Sequence, residues 1–241
     1  MRAIFILILI STSVNGGIFY CQKPELICRL YHLLYFVDSI FREHSIVYWA
    51  VDGTLLGAIR HGGAIPWDDD IDLIVPVSEL EKFDTLKFKD DLKNNGFFIT
   101  PRKPGTWRKI YFSDTSSGLL NDTFPSLDIF EAEYKEGLYM SLSGFRLRGD
   151  IWSIENLFPL KRVNFGPVKV SVPCNSVEYL KRRYGKNCLK EAVIWSHSVQ
   201  KPKKAVFKVF SPAKYNESIA INLFGYSLLN INKAPKIRCF Y

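Results

Sequence analysis

Beyond its first residues, the sequence has no apolar run long enough to cross a bilayer, and it contains no CxxC pair, internal repeat or low-complexity tract. A membrane-spanning helix needs about 20 apolar residues, so we expect no stable membrane span once the N-terminal segment is removed. Without a CxxC pair, a zinc site is not expected. A dense stripe of interleaved basic and aromatic residues is also missing, so nucleic acid is not an expected partner.

The composition is that of a folded protein with a substantial core. The chain has 241 residues, of which 47% are hydrophobic and 15% aromatic, which is enough for one sizeable domain. Its formal net charge of +8 is compatible with an anionic partner such as a phosphorylated small molecule, although surface lysine also serves solubility.

The N-terminus has the layout of a secretory signal peptide. Arg2 is followed by the apolar stretch AIFILILI and then by the small residues STSVNGG. We predict a signal peptide over residues 1–16, cleaved after Gly16, with a buried first strand as the alternative. The protein would then follow the secretory pathway to the Golgi lumen or the outside of the cell.

Two further features fit the secretory route. The triplets NDT at Asn121 and NES at Asn216 are N-glycosylation sequons, so we predict a glycoprotein. An oxidising compartment would also allow disulfides. The possible pairs are Cys21–Cys28 and Cys174–Cys188.

Helical and strand patterns mix along the chain without strict alternation. Apolar residues keep helical spacing from Pro24 to about His44, and the capping pattern of Ser78 with Glu81 predicts one helix that continues to Gly96. Shorter helices are predicted at TLLGAIRHG and NSVEYLKRRYG, and strands at SIVYWAV, IDLIVPV, TWRKIYFS, SLDIFEAEY and the hairpin LKRVNFGPVKVSVP. We therefore predict an α+β (mixed α/β) fold, with a mixed β-sheet flanked by helices.

The stretch HGGAIPWDDDIDLIVP places four aspartates directly before a strongly apolar run. Alternate side chains of a strand share a face, so Asp70 and Asp72 would point the same way while Ile71 and Leu73 enter the core. Crowded carboxylates are unfavourable unless a positive charge lies among them. A magnesium ion, which binds one or two carboxylates together with substrate phosphates, would supply that charge.

Three alternatives for these aspartates stay open. An EF-hand loop needs glycine at the position that Leu73 occupies, and Pro76 interrupts it. A solvated acidic turn without metal conflicts with the apolar run that follows at once. A carboxylate pair for glycoside hydrolysis usually brings its two acids from different strands.

The preceding segment, VDGTLLGAIRHGG, has features of a phosphate site. Gly53 and Thr54 follow a predicted strand and open a helix, where backbone N–H groups can hold an anion. Arg60 and His61 close the same helix, within reach of the acidic loop. Basic residues at a helix C-terminus also answer the helix dipole, so a structural role is the alternative for both.

The segment WAVDGTLLGAIRHGGAIPWDDDIDLIVP resembles the signature of the LicD family, which includes bacterial phosphocholine transferases and is related to fukutin and fukutin-related protein. The resemblance extends to SLDIFEAE and to NLFPLKRVNFGPVKVSVPCNSVEYLKRRYG, and it covers about residues 26–190. It implies a nucleotidyltransferase-like fold in a domain over residues 23–198, followed by a C-terminal extension over 199–241.

The resemblance further implies a metal-dependent phosphotransferase that takes phosphocholine or ribitol phosphate from a CDP-activated alcohol donor, passes it to a glycan or glycoprotein and releases CMP. It implies Mg²⁺ or Mn²⁺ bound by Asp70, Asp72 and Asp128, the last as metal ligand or as base for the acceptor hydroxyl. The residues implied in donor binding are Gly53 and Thr54 at the phosphate, and Arg60, His61 and Lys109 against the diphosphate. A catalytically inactive LicD-like protein that binds glycan is the alternative.

Overall fold

The computed structural model of the protein describes residues 24–65, 68–103, 107–114, 125–142, 150–196 and 201–208. The predicted signal peptide, most of the predicted C-terminal extension and both sequon asparagines, Asn121 and Asn216, lie outside the described residues. No helix among the described residues has the length and apolar character needed to cross a membrane.

A mixed β-sheet forms the centre of the molecule. Its strands are β1 (Trp49–Ala50), β2 (Asp70–Pro76), β3 (Phe97–Ile99), β4 (Arg108–Phe112), β5 (Ser126–Lys135), β6 (Leu138–Ser141) and β7 (Ile151–Ser153). The order is β1-β2-β5-β4-β3, and β6 joins β5 to β7. β2 and β5 run parallel, whereas the other pairs are antiparallel. The predicted mixed sheet is therefore confirmed, although its first strand is shorter than predicted.

Helix α1 (Pro24–Glu43) covers the sheet with a continuous apolar face. Its apolar residues recur at three- and four-residue intervals, which places them on one side of the helix. Five of them are fully buried: Leu30, Leu33, Leu34, Val37 and Phe41. Burying such a side chain contributes about 1.5–3 kcal/mol, so this face is a main source of stability for the domain.

Helix α2 (Asp52–Arg60) connects β1 to β2, and its N-terminus begins directly beside the sheet. The backbone N–H of Val51, the residue before the helix, donates to the carbonyl oxygen of Asp72 at 3.1 Å. This hydrogen bond joins the start of α2 to β2. As a result, the first residues of α2 lie next to the acidic stretch that opens β2.

The helix predicted from Ser78 to Gly96 is two elements in the structure. A 3₁₀ helix occupies Val77–Asp84 without a side-chain cap, and α3 begins separately at Leu86–Asn94. Thr85 has an extended backbone, and its hydroxyl accepts a hydrogen bond from the backbone N–H of Phe88 at 3.3 Å. A threonine in that geometry is an N-cap, so it starts a new helix where a continuous one was expected.

The remaining elements lie beyond the main sheet. They are α4 (Ile154–Leu157), the hairpin of β8 (Lys161–Phe165) and β9 (Val168–Val172), α5 (Ser176–Tyr184), and the hairpin of β10 (Glu191–Ser196) and β11 (Lys201–Lys208). The predicted domain boundary at residue 198 falls between β10 and β11. The two domain limits stay predictions.

The possible disulfide between Cys174 and Cys188 is not formed in the structure, where both residues are free thiols. The Cys174 sulfur lies 3.1 Å from the carbonyl oxygen of Glu155 and 3.3 Å from that of Phe158. Cys188 is buried after the end of α5. The other possible pair includes Cys21, which lies outside the described residues.

Candidate active site

Three aspartates meet on the paired strands β2 and β5. The parallel register sets Asp72 directly beside Asp128, and Asp70 lies two residues before Asp72 on the same strand. Each of the three offers a carboxylate oxygen, and these oxygens lie within 4.8 Å of one another. Ile71 and Leu73, which alternate with the two aspartates of β2, are fully buried. The strand alternation thus turns the carboxylates to one face and anchors them through the core.

Asp68 and Asp69 bring further negative charge to the same place. A carboxylate oxygen from each of them also lies within 4.8 Å of one from Asp70. Burial raises the pKa of Asp68 well above its usual value, and the charge of Asp72 raises it further. Burial likewise raises the pKa of Asp70, with further increases from Asp68 and Asp128. Here we use "acidic group" for Asp68, Asp69, Asp70, Asp72 and Asp128.

The acidic group fits a hard divalent cation. Its ligand atoms are all carboxylate oxygens, which Mg²⁺ and similar ions prefer. After burial, the neighbouring carboxylate charges are the next causes that raise the pKa values of Asp68 and Asp70. A cation bound between them would relieve that repulsion, since an opposite charge within a few ångströms favours the ionised form of a carboxylate.

Lys109 lies inside this group. It is opposite Asp128 on the antiparallel neighbour β4, and its Nζ donates to the two carboxylate oxygens of Asp128 at 2.7 and 3.0 Å. Its Nζ is also 3.3 Å from the Ser126 hydroxyl. Burial raises the pKa of Asp128, and the Lys109 ammonium opposes that rise. The structure therefore brings together Lys109 and the three predicted metal ligands.

Gly53 and Thr54 hold the acidic stretch against the start of α2. A Cβ on Gly53 would come within 2.2 Å of the Asp68 carboxylate, so any larger residue would displace that side chain. The Thr54 hydroxyl accepts a hydrogen bond from the backbone N–H of Asp72 at 2.8 Å. Both residues, which sequence reasoning assigned to a phosphate, are thus in contact with the segment that carries the aspartates.

Arg60 and His61 lie at the other end of α2, in the protein interior. Their exposed fractions are 3% and 2%, and Arg60 donates to the carbonyl oxygen of Cys188 at 2.9 Å. Burial lowers the pKa of His61 to about 3, with a contribution from the Arg60 charge. His61 is consequently neutral at neutral pH. Their burial favours a structural role for Arg60 and His61 over contact with a diphosphate.

Sequence reasoning missed Asp52, Arg183 and Tyr184. Asp52 is buried and has a left-handed backbone, with φ +43°, a conformation that costs energy for a residue other than glycine. The Arg183 Nε donates to its carboxylate at 3.0 Å, and the Tyr184 hydroxyl lies 3.5 Å from the same oxygen. No pattern in the sequence connects Asp52 to a helix about 130 residues later.

Residues 45–175 match the sequence model of the family described as LicD/FKTN/FKRP, nucleotidyltransferase domain. The match covers more than half of the chain and includes the whole acidic group. The chain belongs to the LicD family. The predicted resemblance is thereby confirmed, and so is the nucleotidyltransferase character of the domain. The whole of α5, with Arg183 and Tyr184, lies beyond the matched region.

Proteins similar to this chain occur in bacteria and animals. An uncharacterized protein of Rickettsia typhi is 28% identical over 155 residues, covering 64% of this chain and 45% of the relative. The lipopolysaccharide cholinephosphotransferase LicD of Haemophilus influenzae is 36% identical over 69 residues, 29% of this chain and 25% of the relative. The ribitol 5-phosphate transferase FKRP of Homo sapiens is 25% identical over 154 residues, covering 62% of this chain and 30% of the relative. The chain thus spans about half or less of these relatives.

Solved structures with a similar outline include two adenylyltransferases. One is ANT(2")-Ia in complex with adenylyl-2"-tobramycin, with a TM-score of 0.39, 15% identity, and coverage of 85% of this chain and 91% of that chain. The other is the lincosamide antibiotic adenylyltransferase LnuA with lincomycin bound, with a TM-score of 0.40, 14% identity, and coverage of 71% of this chain and 98% of that chain. These scores are too low to carry an argument. The fold class rests on the mixed sheet and on the LicD family model.

Proposed function

We propose that this LicD-family protein is a metal-dependent phosphotransferase that moves phosphocholine or ribitol phosphate from a CDP-activated donor to a glycan or glycoprotein. The observation that carries the proposal is the meeting of Asp70, Asp72 and Asp128, whose carboxylate oxygens lie within 4.8 Å of one another. The names of the bacterial and human relatives support the two transferred groups.

The reaction exchanges one phosphorus–oxygen bond for another. The acceptor hydroxyl oxygen attacks the phosphorus that carries the alcohol, and the bond from this phosphorus to the bridging oxygen breaks. CMP leaves with the bridging oxygen. Asp128 would be either the third metal ligand, in which case the hydroxyl proton passes to water, or the base that takes this proton. Because little covalent chemistry is asked of the protein, most of the catalysis would come from positioning and charge.

Several residues would share the positioning. Asp70 and Asp72 would bind Mg²⁺ or Mn²⁺ together with Asp128, and such an ion neutralises charge that develops on the phosphates. Gly53 and Thr54 would line the phosphate at the start of α2, and Lys109 would lie beside it. We assign no donor contact to Arg60 or His61.

We also propose that the protein acts in the secretory pathway, in the Golgi lumen or outside the cell. The support is the basic and apolar N-terminus, with Arg2 before AIFILILI, and the sequons at Asn121 and Asn216. A glycan acceptor would be met in the same compartment. Expression of the full chain, with a shift in mass on deglycosylation, tests this location.

The first experiment measures CMP release from CDP-choline and from CDP-ribitol, with a glycan acceptor, in Mg²⁺, in Mn²⁺ and in chelator. We expect release that depends on the metal, and the better donor identifies the transferred group. The double variant Asp70→Asn/Asp72→Asn should lower the rate by at least about 100-fold, the size of effect seen when one electrostatic stabiliser is lost.

The matched control is Asp90→Asn, which makes the same chemical change at an exposed position of α3 and should leave the rate unchanged. Undiminished turnover by the double variant would contradict the proposal. A folded wild-type protein that releases no CMP and binds no divalent metal would instead favour the inactive glycan-binding alternative.

A further inference from the structure

The C-terminal turn of α5 reaches the start of α2, next to the acidic stretch that opens β2, from outside the main sheet. Arg183 and Tyr184 end this helix and both contact Asp52, the first residue of α2. We propose that this turn is the donor-binding wall of the site, and that Arg183 binds the diphosphate of a nucleoside-diphosphate-activated donor. This inference rests on the proposed phosphotransferase function and names a donor-binding residue that neither the family model nor the sequence assigns.

The first argument is geometric. The Arg183 side chain is 28% exposed, whereas the Asp52 carboxylate that it contacts is only 10% exposed. The guanidinium thus lies at the boundary between the buried start of α2 and solvent. Arg183 donates to Asp52 through its Nε. The planar guanidinium has further N–H groups, whose geometry matches two phosphate oxygens.

The second argument is that Tyr184 marks how close this turn is to the acidic group. Its hydroxyl lies 3.5 Å from Asp52, while 43% of the residue surface is exposed. Burial of the hydroxyl end raises the pKa of Tyr184, and the carboxylates of Asp52 and Asp72 raise it further. The hydroxyl end of Tyr184 therefore lies in the buried region beside Asp52, on the same turn as Arg183.

The third argument concerns charge. A diphosphate that approaches the acidic group needs positive charge from the protein as well as from a metal. The Lys109 ammonium is engaged with Asp128, and Arg60 and His61 are buried. Arg183 is a partly exposed cation, and its partner Asp52 belongs to the same helix N-terminus that would face the phosphate.

The fourth argument is the strained backbone of Asp52. A left-handed conformation at a residue other than glycine persists only where the surroundings enforce it, and such residues concentrate at functional sites. Here the conformation presents the carboxylate to Arg183. In the absence of donor, Asp52 holds the guanidinium in place; when donor binds, phosphate oxygens share or replace that contact.

The test is the affinity of CDP for the purified full chain in the presence of Mg²⁺, measured by isothermal titration calorimetry. Arg183→Gln should weaken CDP binding by about tenfold or more, as expected for the loss of a charge-assisted hydrogen bond. Arg182→Gln is the matched control, because the neighbouring guanidinium donates to the Ile151 carbonyl and lies over the Tyr179 ring. It should change the affinity by less than about twofold.

Two further variants separate donor binding from a structural role. Asp52→Asn keeps a residue that tolerates the left-handed backbone, and it should leave CDP affinity unchanged or increase it, because Arg183 loses its competitor. In the Asp52→Asn background, Arg183→Gln removes no ion pair, so that double variant should fold and still bind CDP about tenfold more weakly than Asp52→Asn alone.

The outcomes distinguish the two proposals. Equal CDP affinity in the wild type and Arg183→Gln would overturn the role of Arg183 and leave the phosphotransferase proposal standing. Equal weakening by Asp52→Asn and Arg183→Gln would show that the ion pair only supports the fold. A wild-type protein that binds no CDP with Mg²⁺ would contradict the proposed function, and this inference with it.

Discussion

Two regions of the molecule bury aspartates in opposite ways. Between α1 and the β8–β9 hairpin, the buried Asp38 carboxylate accepts hydrogen bonds from Arg162 at 2.5 and 2.7 Å and from Arg42 at 3.1 Å, and a further one from the Tyr48 hydroxyl. At the acidic group, carboxylates face other carboxylates, and the pKa of Asp70 is raised well above its usual value by burial and by its neighbours.

The contrast separates a site that supports the fold from one that awaits a ligand. At Asp38 the chain itself supplies the opposite charge and the hydrogen bonds that a buried carboxylate needs. At the acidic group the chain supplies Lys109 on Asp128, yet Asp68 and Asp70 still repel one another. Perturbed carboxylates that the surrounding chain does not neutralise are typical of functional sites.

The largest expected effect comes from removing the charge of Asp38, whose neighbours neutralise it. Asp38→Asn should lower the free energy of unfolding by about 2 kcal/mol, because it weakens the charge-assisted hydrogen bonds of a buried carboxylate. The loss is limited because the side chains of Arg162 and Arg42 are 36% and 62% exposed, so solvent compensates their charges. Asp114→Asn is the control: it breaks the Arg29–Asp114 pair, whose aspartate is 62% exposed, and should cost about 0.5 kcal/mol. Urea denaturation measures both, and equal losses would contradict the distinction.

The same substitution at the acidic group should have the opposite sign. In chelator, Asp70→Asn should raise the free energy of unfolding by about 1 kcal/mol, because it removes a charge that crowded neighbours disfavour. Saturating Mg²⁺ should stabilise the wild type more than the variant, since binding to the native state adds stability. Urea denaturation with and without metal provides the measurement. If Asp70→Asn instead destabilises the protein in chelator, as at Asp38, the surrounding chain already neutralises the acidic group without a metal.

The sequence predicts the local parts of the site well. The alternation of Asp70 and Asp72 with Ile71 and Leu73 sets which side chains share a face, because that pattern depends only on strand geometry. The helix at TLLGAIRHG and the strand at SLDIFEAEY follow from their own composition. Each of these predictions concerns residues that are close in the chain.

The features of the site that the sequence does not display depend on contacts between distant segments. Arg60 and His61 are close to the acidic stretch in the chain, yet α2 carries them into the interior. Arg183 is far away in the chain, yet α5 returns it to Asp52. Helix direction and long-range packing decide both cases, and neither leaves a periodic pattern that the sequence alone displays. The split of the helix at Thr85 has a local cause instead, because the Thr85 hydroxyl caps a new helix inside the segment predicted as one.

The smallest expected effect tests whether Lys109 neutralises the charge of Asp128 as Arg162 neutralises that of Asp38. The Lys109 ammonium contacts both oxygens of Asp128 and is 25% exposed, so a divalent ion must share that carboxylate with a cation of the same sign. Lys109→Met should therefore tighten Mn²⁺ binding by about fivefold, because it removes a nearby positive charge.

The matched control for this comparison is Lys87→Met, which removes an ammonium from an exposed pair with Glu43 and should leave Mn²⁺ affinity unchanged. Calorimetric titration of Mn²⁺ into the two variants and the wild type measures the effect. Tighter binding in Lys109→Met would mean that the acidic group carries a built-in counter-ion that gives way to the metal. Weaker binding would mean that Lys109 holds Asp128 in the orientation that the metal needs. In both regions a basic side chain would then fix the position of a buried aspartate.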